Sequence, residues 1–287
     1  TGRALAKEYS QKDTLYLHGD TITAYLDTAD STHVTNAFHR VRFYRVDLQG
    51  LCDSLSFTER DTILYMYRHP VIWNEERQIF GNVIYVHLND STVDWARLPE
   101  TGMMAEHIAE DCYNQLSGSD MTAWFNDSTI RRLYVEGNVE VIMFPMESDS
   151  TYNKFAQTES SFMDAYFNGN SVEKINFWPE TNSTFTPLYL AKRNPYYLKR
   201  FRWYGDIRPM SPEDVFVVPE GMVELMNSAV EESKASKSRK EQNKRRPGGT
   251  PAVSPAAPSL PAAKEVAPLK DVTPIKDIEP VQPVEKE

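Results

Sequence analysis

Apolar residues recur at every second position in five separated stretches of this 287-residue chain. With Gly19, Gly50, Gly81, Gly118 and Ser160 each set as position zero, positions +3, +5 and +7 can be compared. They read Ile22/Ala24/Leu26, Asp53/Leu55/Phe57, Ile84/Val86/Leu88, Met121/Ala123/Phe125 and Met163/Ala165/Phe167. All but Asp53 are apolar. Alternate residues of a strand share a face, so each stretch predicts a strand with one apolar side. A turn signal follows each: Asp30-Ser31, Asp61-Thr62, Asp90-Ser91, Asp127-Ser128 and Asn168-Gly169. The zero positions lie 31, 31, 37 and 42 residues apart, which suits rungs of two or more strands joined by loops of variable length. Such strands must stack to bury their stripe.

A second strand of each rung is predicted after the turns, at Ile63–Tyr67, Val93–Ala96, Ile130–Val135 and Val172–Phe177. Three of these carry an apolar-x-x-apolar spacing, Val93/Ala96, Ile130/Leu133 and Val172/Ile175, which suggests a β-bulge. Gly137-Asn138 reads as a tight turn between Tyr134-Val135 and Val139–Met143. Pro70, Pro99, Pro145 and Pro179 suit strand ends and sheet edges, because proline cannot donate to a ladder. The fold class is therefore all-β, with stacked antiparallel strands.

Four regions follow from these shifts in pattern. Residues 1–12 read as a truncated lead-in, 13–218 as the β domain, 219–230 as a short helix or linker, and 231–287 as a tail. Ser211-Pro212-Glu213-Asp214 reads as a helix N-cap with Pro at N1 and acids in the first turn. Lys234 to Arg246 hold seven basic residues against one Glu. The remaining Pro/Ala-rich stretch is expected to be disordered. The chain starts at Thr1 without Met, which suggests a processed or truncated form, and no signal peptide is visible. No run approaches the roughly 18 apolar residues of a membrane helix, which leads us to expect a soluble chain.

Charge narrows the partners. From Glu231 onward 11 Lys/Arg face 9 Asp/Glu, which leaves 20 basic against 32 acidic residues in 1–230. An acidic body argues against nucleic acid, whose phosphates need a basic surface. An aromatic-basic segment stands out at 189–204, with Tyr196-Tyr197, Phe201, Trp203 and Tyr204 among Lys192, Arg193, Lys199, Arg200 and Arg202. Its plain reading is a solvated edge docked on the last rung. Cys52 and Cys112 are the two cysteines. They read either as two separate buried thiols or, in a periplasmic protein, as a disulfide pair.

No catalytic pattern emerges. HExxH, GxSxG and a phosphate-binding glycine loop are all missing, so neither an enzyme nor a cofactor is expected. No zinc spacing occurs, and no metal is expected. The alternation places His87 on the outward face. The Asn-Asp-Ser-Thr at 89–92 and 126–129 reads as a turn, since the glycine-rich calcium repeat is absent. The apolar stripe itself fits either a closed core or, if two β walls stay open along one edge, a groove for acyl chains. Met121 and Met163 would make such a lining adaptable.

Several motifs resemble one family in order. Tyr113-Asn114-Gln115-Leu116-Ser117-Gly118, then Met121-Thr122 and Phe125-Asn126-Asp127, resemble a signature of the OstA-like proteins of Bacteroidetes. So do His69–Trp73 with Gln78–Gly81, and Glu136–Glu140. Phe201-Arg202-Trp203 with Arg208–Phe216 looks like the close of that domain, so the resemblance covers about 13–218. This family is similar to LptA-type periplasmic proteins of lipopolysaccharide transport and to the N-terminal domain of LptD. The resemblance implies a β-jellyroll of folded-over sheets whose apolar interior carries the acyl chains of lipid A. It implies a periplasmic location in the cell envelope of a Gram-negative bacterium, and a role in outer-membrane biogenesis. It also implies end-to-end strand addition with other OstA-, LptC- or LptD-like domains or with itself, and no cofactor or catalysis. On that basis the lipid-binding candidates are Ile22, Leu26, Leu55, Phe57, Ile84, Val86, Leu88, Met121, Phe125, Met163 and Phe167.

Three rivals remain. Outward Tyr25, Trp124 and Tyr166 suggest a polysaccharide-binding module. A structural stack or adhesin would have a dry, closed core. A β-helix polysaccharide lyase would need clustered acids and a base on one face, and the irregular period argues against it.

Overall fold

A computed structural model of the chain describes residues 4–9, 13–29, 31–89, 92–126, 129–147, 151–169, 171–190 and 196–228. The strands are β1 (Ala4–Glu8), β2 (Leu15–Gly19), β3 (Thr21–Asp27), β4 (Thr32–Arg45), β5 (Leu48–Thr58), β6 (Ile63–Tyr67), β7 (Val71–Asn74) and β8 (Arg77–Phe80). They continue as β9 (Val83–Asn89), β10 (Thr92–Ala109), β11 (Cys112–Asn126), β12 (Thr129–Met143), β13 (Lys154–Asn168), β14 (Ser171–Trp178) and β15 (Asn182–Pro187). All pair antiparallel in one fifteen-stranded sheet, so the fold is all-β.

That sheet is folded along a line of bulges. Register shifts fall at Phe38/Val41, Pro99/Gly102, Ser117/Asp120 and Glu136/Val139. The residues inside three of them, His39-Arg40, Glu100-Thr101 and Gly137-Asn138, have positive φ. A bulge bends its strand, and bulges aligned on neighbouring strands bend the sheet. Long strands β4, β5, β10, β11, β12 and β13 therefore contribute to both sides of the line. Elsewhere two short strands do the work of one, as β6/β7 and β8/β9 do across Arg68–Pro70 and Gly81-Asn82.

Two walls result. The first runs β3-β4-β5-β6-β9-β10-β11-β12-β13-β14, and the second runs β1-β2-β4-β5-β7-β8-β10-β11-β12-β13-β15. A continuous cross-strand row lines the first: Ala24, Thr35, Phe57, Leu64, Val86, Ala96, Ala123, Leu133, Ala165 and Ile175. Its counterpart on the second is Leu17, Phe43, Gly50, Ile72, Ile79, Met104, Leu116, Val141 and Thr158. Both walls feed one core cluster, with Leu55, Met66, Ile84, Met121, Val135 and Met163 buried in it. Two glycines permit the close packing. A Cβ on Gly50 would lie 2.2 Å from the Phe43 ring, and one on Gly118 would lie 2.1 Å from Val135 Cγ1.

The outer face of the second wall is covered by the segment 196–216 and by a helix over 220–228. Three buried glutamines of one cross-strand row fasten the segment: Gln49, Gln78 and Gln115, joined through Trp73 and Ala105. Gln115 Oε1 accepts from Leu198 N at 2.8 Å and its Nε2 donates to Tyr196 O at 2.6 Å. Gln78 Oε1 accepts from Tyr204 N at 2.7 Å, while its Nε2 donates to Arg202 O at 2.8 Å. Gln49 Oε1 accepts from Arg208 Nε at 2.8 Å. At the far end, buried Arg42 donates to Val215 O at 2.7 Å, and Phe216 packs on the His18 ring. Burial pushes the Arg42 guanidinium down to about 10. Leu198 joins Met103, Ile142 and Phe155, and Ile207 and Met222 join Leu51, Val71 and Trp73.

Five expectations change. Residues 4–8, expected as lead-in, form an edge strand on β2. Gly137-Asn138 is a bulge inside β12, because the strand folds over there and does not reverse. Segment 189–204 is not confined to the edge of the last rung; Tyr196 packs on Phe155 of β13, and from there the chain crosses the second wall, held by the glutamines. Ser211 caps no helix. Asp214 Oδ2 instead accepts from Met210 N and Ser211 N, both at 2.9 Å, around a single 3₁₀ turn (Asp214–Phe216), and the helix begins after Pro219. Lastly, the second repeat is offset by two residues. Cys52, not Gly50, stands at the fold line, and Asp53 beside it takes Arg68 Nη1 at 2.8 Å. The three apolar-x-x-apolar signals do mark bulges, at Val93/Trp95, Trp124/Phe125 and Tyr166/Phe167. Asp30, Asp90-Ser91, Asp127-Ser128, Lys192-Arg193 and the tail 231–287 lie outside the described residues.

Candidate functional site

The predicted stripe comes together on the inner face of the first wall. Leu55, Ile84, Val86, Met121 and Met163 are buried in the shared core. Ile22, Leu88, Phe125 and Phe167 are half-buried and pack against it. Phe57 sits in the inner row but outside that cluster, and Leu26, near the end of edge strand β3, is 50% exposed. Depth thus falls with distance from the fold line: Met121 is 1% exposed and Ala123 5%, whereas Phe125 is only half-buried. The interior is filled along the fold, and its apolar residues reach solvent at the opposite rim.

The second wall supplies lining that the repeat alone does not reveal. Phe43, Ile72, Ile79, Met104, Leu116 and Val141 face the stripe from across the core. Nearer its own rim this wall turns polar. Arg77 Nε donates to Glu106 Oε1 at 3.0 Å, and Asn114 Nδ2 donates to Glu106 Oε2 at 3.1 Å. A surface cleft of about 570 Å³ opens there, lined by Glu75, Arg77, Glu106, His107, Asn114 and Tyr152. The arrangement sets an apolar rim on one wall and a polar rim on the other.

Outside the first wall the rows carry aromatic and charged residues. Arg132 grips Asp164 through Nε at 2.8 Å and Nη2 at 3.0 Å. Its guanidinium lies 5.0 Å from the Trp124 ring, 5.9 Å from Tyr134 and 5.7 Å from Tyr166. Tyr166 Oη donates to Asp164 Oδ2 at 2.8 Å. Partial burial works against ionisation of Asp164, but the Arg132 and Tyr166 hydrogen bonds outweigh it and hold the carboxyl below its usual range. Trp124 and Tyr166 thus share the guanidinium between them. Tyr25 stands apart and 53% exposed on β3. His87 faces outward, stacked on Trp95 at 5.3 Å and bonded to Asp94.

Both cysteines are free thiols. Burial pushes the Cys52 thiol far up, and burial also raises Cys112. Among the described residues no group of three or more His, Cys, Asp and Glu gathers as a metal site. No described helix is long and apolar enough to cross a membrane. A scan against family models, a search of curated proteins and a search of solved structures each return no match to this chain.

Proposed function

We propose that this chain binds lipid acyl chains between its two walls. The observation that carries the reading is the inner row, apolar on every one of its ten strands but β4, with half-buried Leu88, Phe125 and Phe167 beyond it toward the rim. An acyl chain entering at Leu88, Phe125 and Phe167 would gain about 0.8 kcal/mol per buried CH2. The polar rim at Arg77, Glu106 and Asn114 suits the head of the same amphiphile. Met66, Met104, Met121 and Met163 give the lining side chains that repack readily. On the resemblance to OstA-like proteins, the lipid is lipopolysaccharide, held through lipid A, and the place is the periplasm. The same resemblance makes the domain a jellyroll link in a transport bridge. Its open ends suit that role: β1 and β3 at one end, β14 and β15 at the other, each pair with one strand only among the described residues.

Binding of a fluorescent fatty acid, and its displacement by purified lipopolysaccharide, tests the reading. Leu88→Asp with Phe125→Asp, at half-buried rim positions, is expected to weaken binding at least about tenfold, or 1.4 kcal/mol, with the β circular-dichroism spectrum retained. A folded variant that binds as the wild type does overturns it. A second reading, a closed structural stack, is favoured by the full burial of Met66, Ile84 and Met121. It predicts no uptake by the wild type.

A further inference from the structure

The described arginines are almost all engaged. Arg40, Arg45, Arg60, Arg68, Arg77, Arg97 and Arg132 each hold a carboxylate, while Arg42 and Arg208 hold carbonyl or glutamine oxygens. Among the described residues, Arg131, Arg200 and Arg202 hold none. Arg131 stands alone on β12 of the first wall, whereas Arg200 and Arg202 line one cleft of about 440 Å³ on the outer side of the second wall.

The packing of the local chain brings them together. Arg200 lies in a turn closed by a hydrogen bond from Phe201 N to Leu198 O at 2.9 Å. Phe201 and Trp203 pack on Tyr113, at 5.0 and 5.1 Å between ring centroids. Arg200, Arg202 and Tyr204 line the cleft. Its floor is the T-shaped Phe80–Tyr204 pair, its far side is the helix with Leu225 and Ser228, and Gly81-Asn82 form its edge. Glu224 is the one carboxylate in the lining. Two guanidinium groups without a carboxylate partner, set against an aromatic floor in an acidic molecule, make a local anion trap. Guanidinium forks match phosphate oxygens and engage them bidentately.

We propose that this cleft binds a phosphate group through Arg200 and Arg202, with the Phe80–Tyr204 floor beneath its organic substituent. Two arginines suit one phosphate and not a nucleic-acid backbone, which needs a broad basic surface. The site lies on the outside of the second wall and does not depend on lipid entering the interior.

Titration calorimetry with inorganic phosphate, and co-flotation with vesicles of phosphatidylglycerol in phosphatidylcholine, test this together. The variants are Arg200→Gln with Arg202→Gln and, as a control of equal charge change, Arg131→Gln with Lys174→Gln on the first wall. The expected result is binding in at least one arm that weakens at least tenfold in the cleft variant and changes less than twofold in the control. Saturation by inorganic phosphate alone would identify free phosphate as sufficient. Binding to the anionic vesicles only would identify a lipid headgroup. No binding in either arm, or equal losses in the two variants with both folded, overturns the site.

Discussion

Gly118 shows how a single residue sets the distance between strands. Its missing side chain is where Val135 of the next strand packs, on the line where the sheet folds. Gly118→Ala is expected to lower stability by about 1–3 kcal/mol, the usual range for overpacking, read from the shift in urea midpoint. Asp164 makes the corresponding electrostatic case on the outer surface. Its folded pKa lies below its unfolded value, held there by Arg132 and Tyr166 against the opposing effect of burial. The contribution is therefore present at neutral pH. It is lost as pH falls through about 3.9 and on toward the folded value. Thermal melts from neutral to acid pH are expected to show a steeper loss for the wild type than for Asp164→Asn over that window. Parallel curves would mean that the Arg132–Asp164 contact carries no net stability.

At the scale of elements the two walls differ in what covers them. The first wall has core on one side and solvent on the other, so its strands alternate, and Ile84/Val86/Leu88 or Met121/Ala123/Phe125 could be read from sequence. On the second wall both faces are buried, one in the shared core and one beneath residues 196–228. Its strands run apolar without alternation, as in Val71-Ile72-Trp73, Met103-Met104 and Val141-Ile142. No period distinguishes inner from outer there, which is why half of the candidate lining stayed hidden. Asp53 broke the repeat for another reason. The glycine two residues before the fold line serves the Phe43 ring and not the corner, so it set the wrong origin. Gln78 and Gln115 looked like ordinary strand polars, because their partners lie 126 and 83 residues away. Gln78→Leu removes the acceptor for Tyr204 N and Trp73 Nε1, each at about 1–3 kcal/mol if left unsatisfied. The expected outcome is faster proteolysis within 196–216 and faster amide exchange at Tyr204, with the β core still protected. Unchanged protection at Tyr204 would show that packing, not the amide, holds the segment.

For the whole molecule, the fold line, the braced second wall and the unbraced first wall enclose one apolar interior, and the end strands β1, β3, β14 and β15 each pair on one side only among the described residues. The central claim is that this interior holds acyl chains. A photoreactive residue at Phe125, on the inner rim, and another at Trp124, on the outer face, sample opposite sides of one strand. The decisive measurement is crosslinking at both positions in Gram-negative cells that export the folded protein, with lipopolysaccharide as the target. Adducts at Phe125 and none at Trp124 are the predicted result. No adduct at Phe125, with the protein folded and exported, contradicts the claim and leaves the closed structural stack in its place.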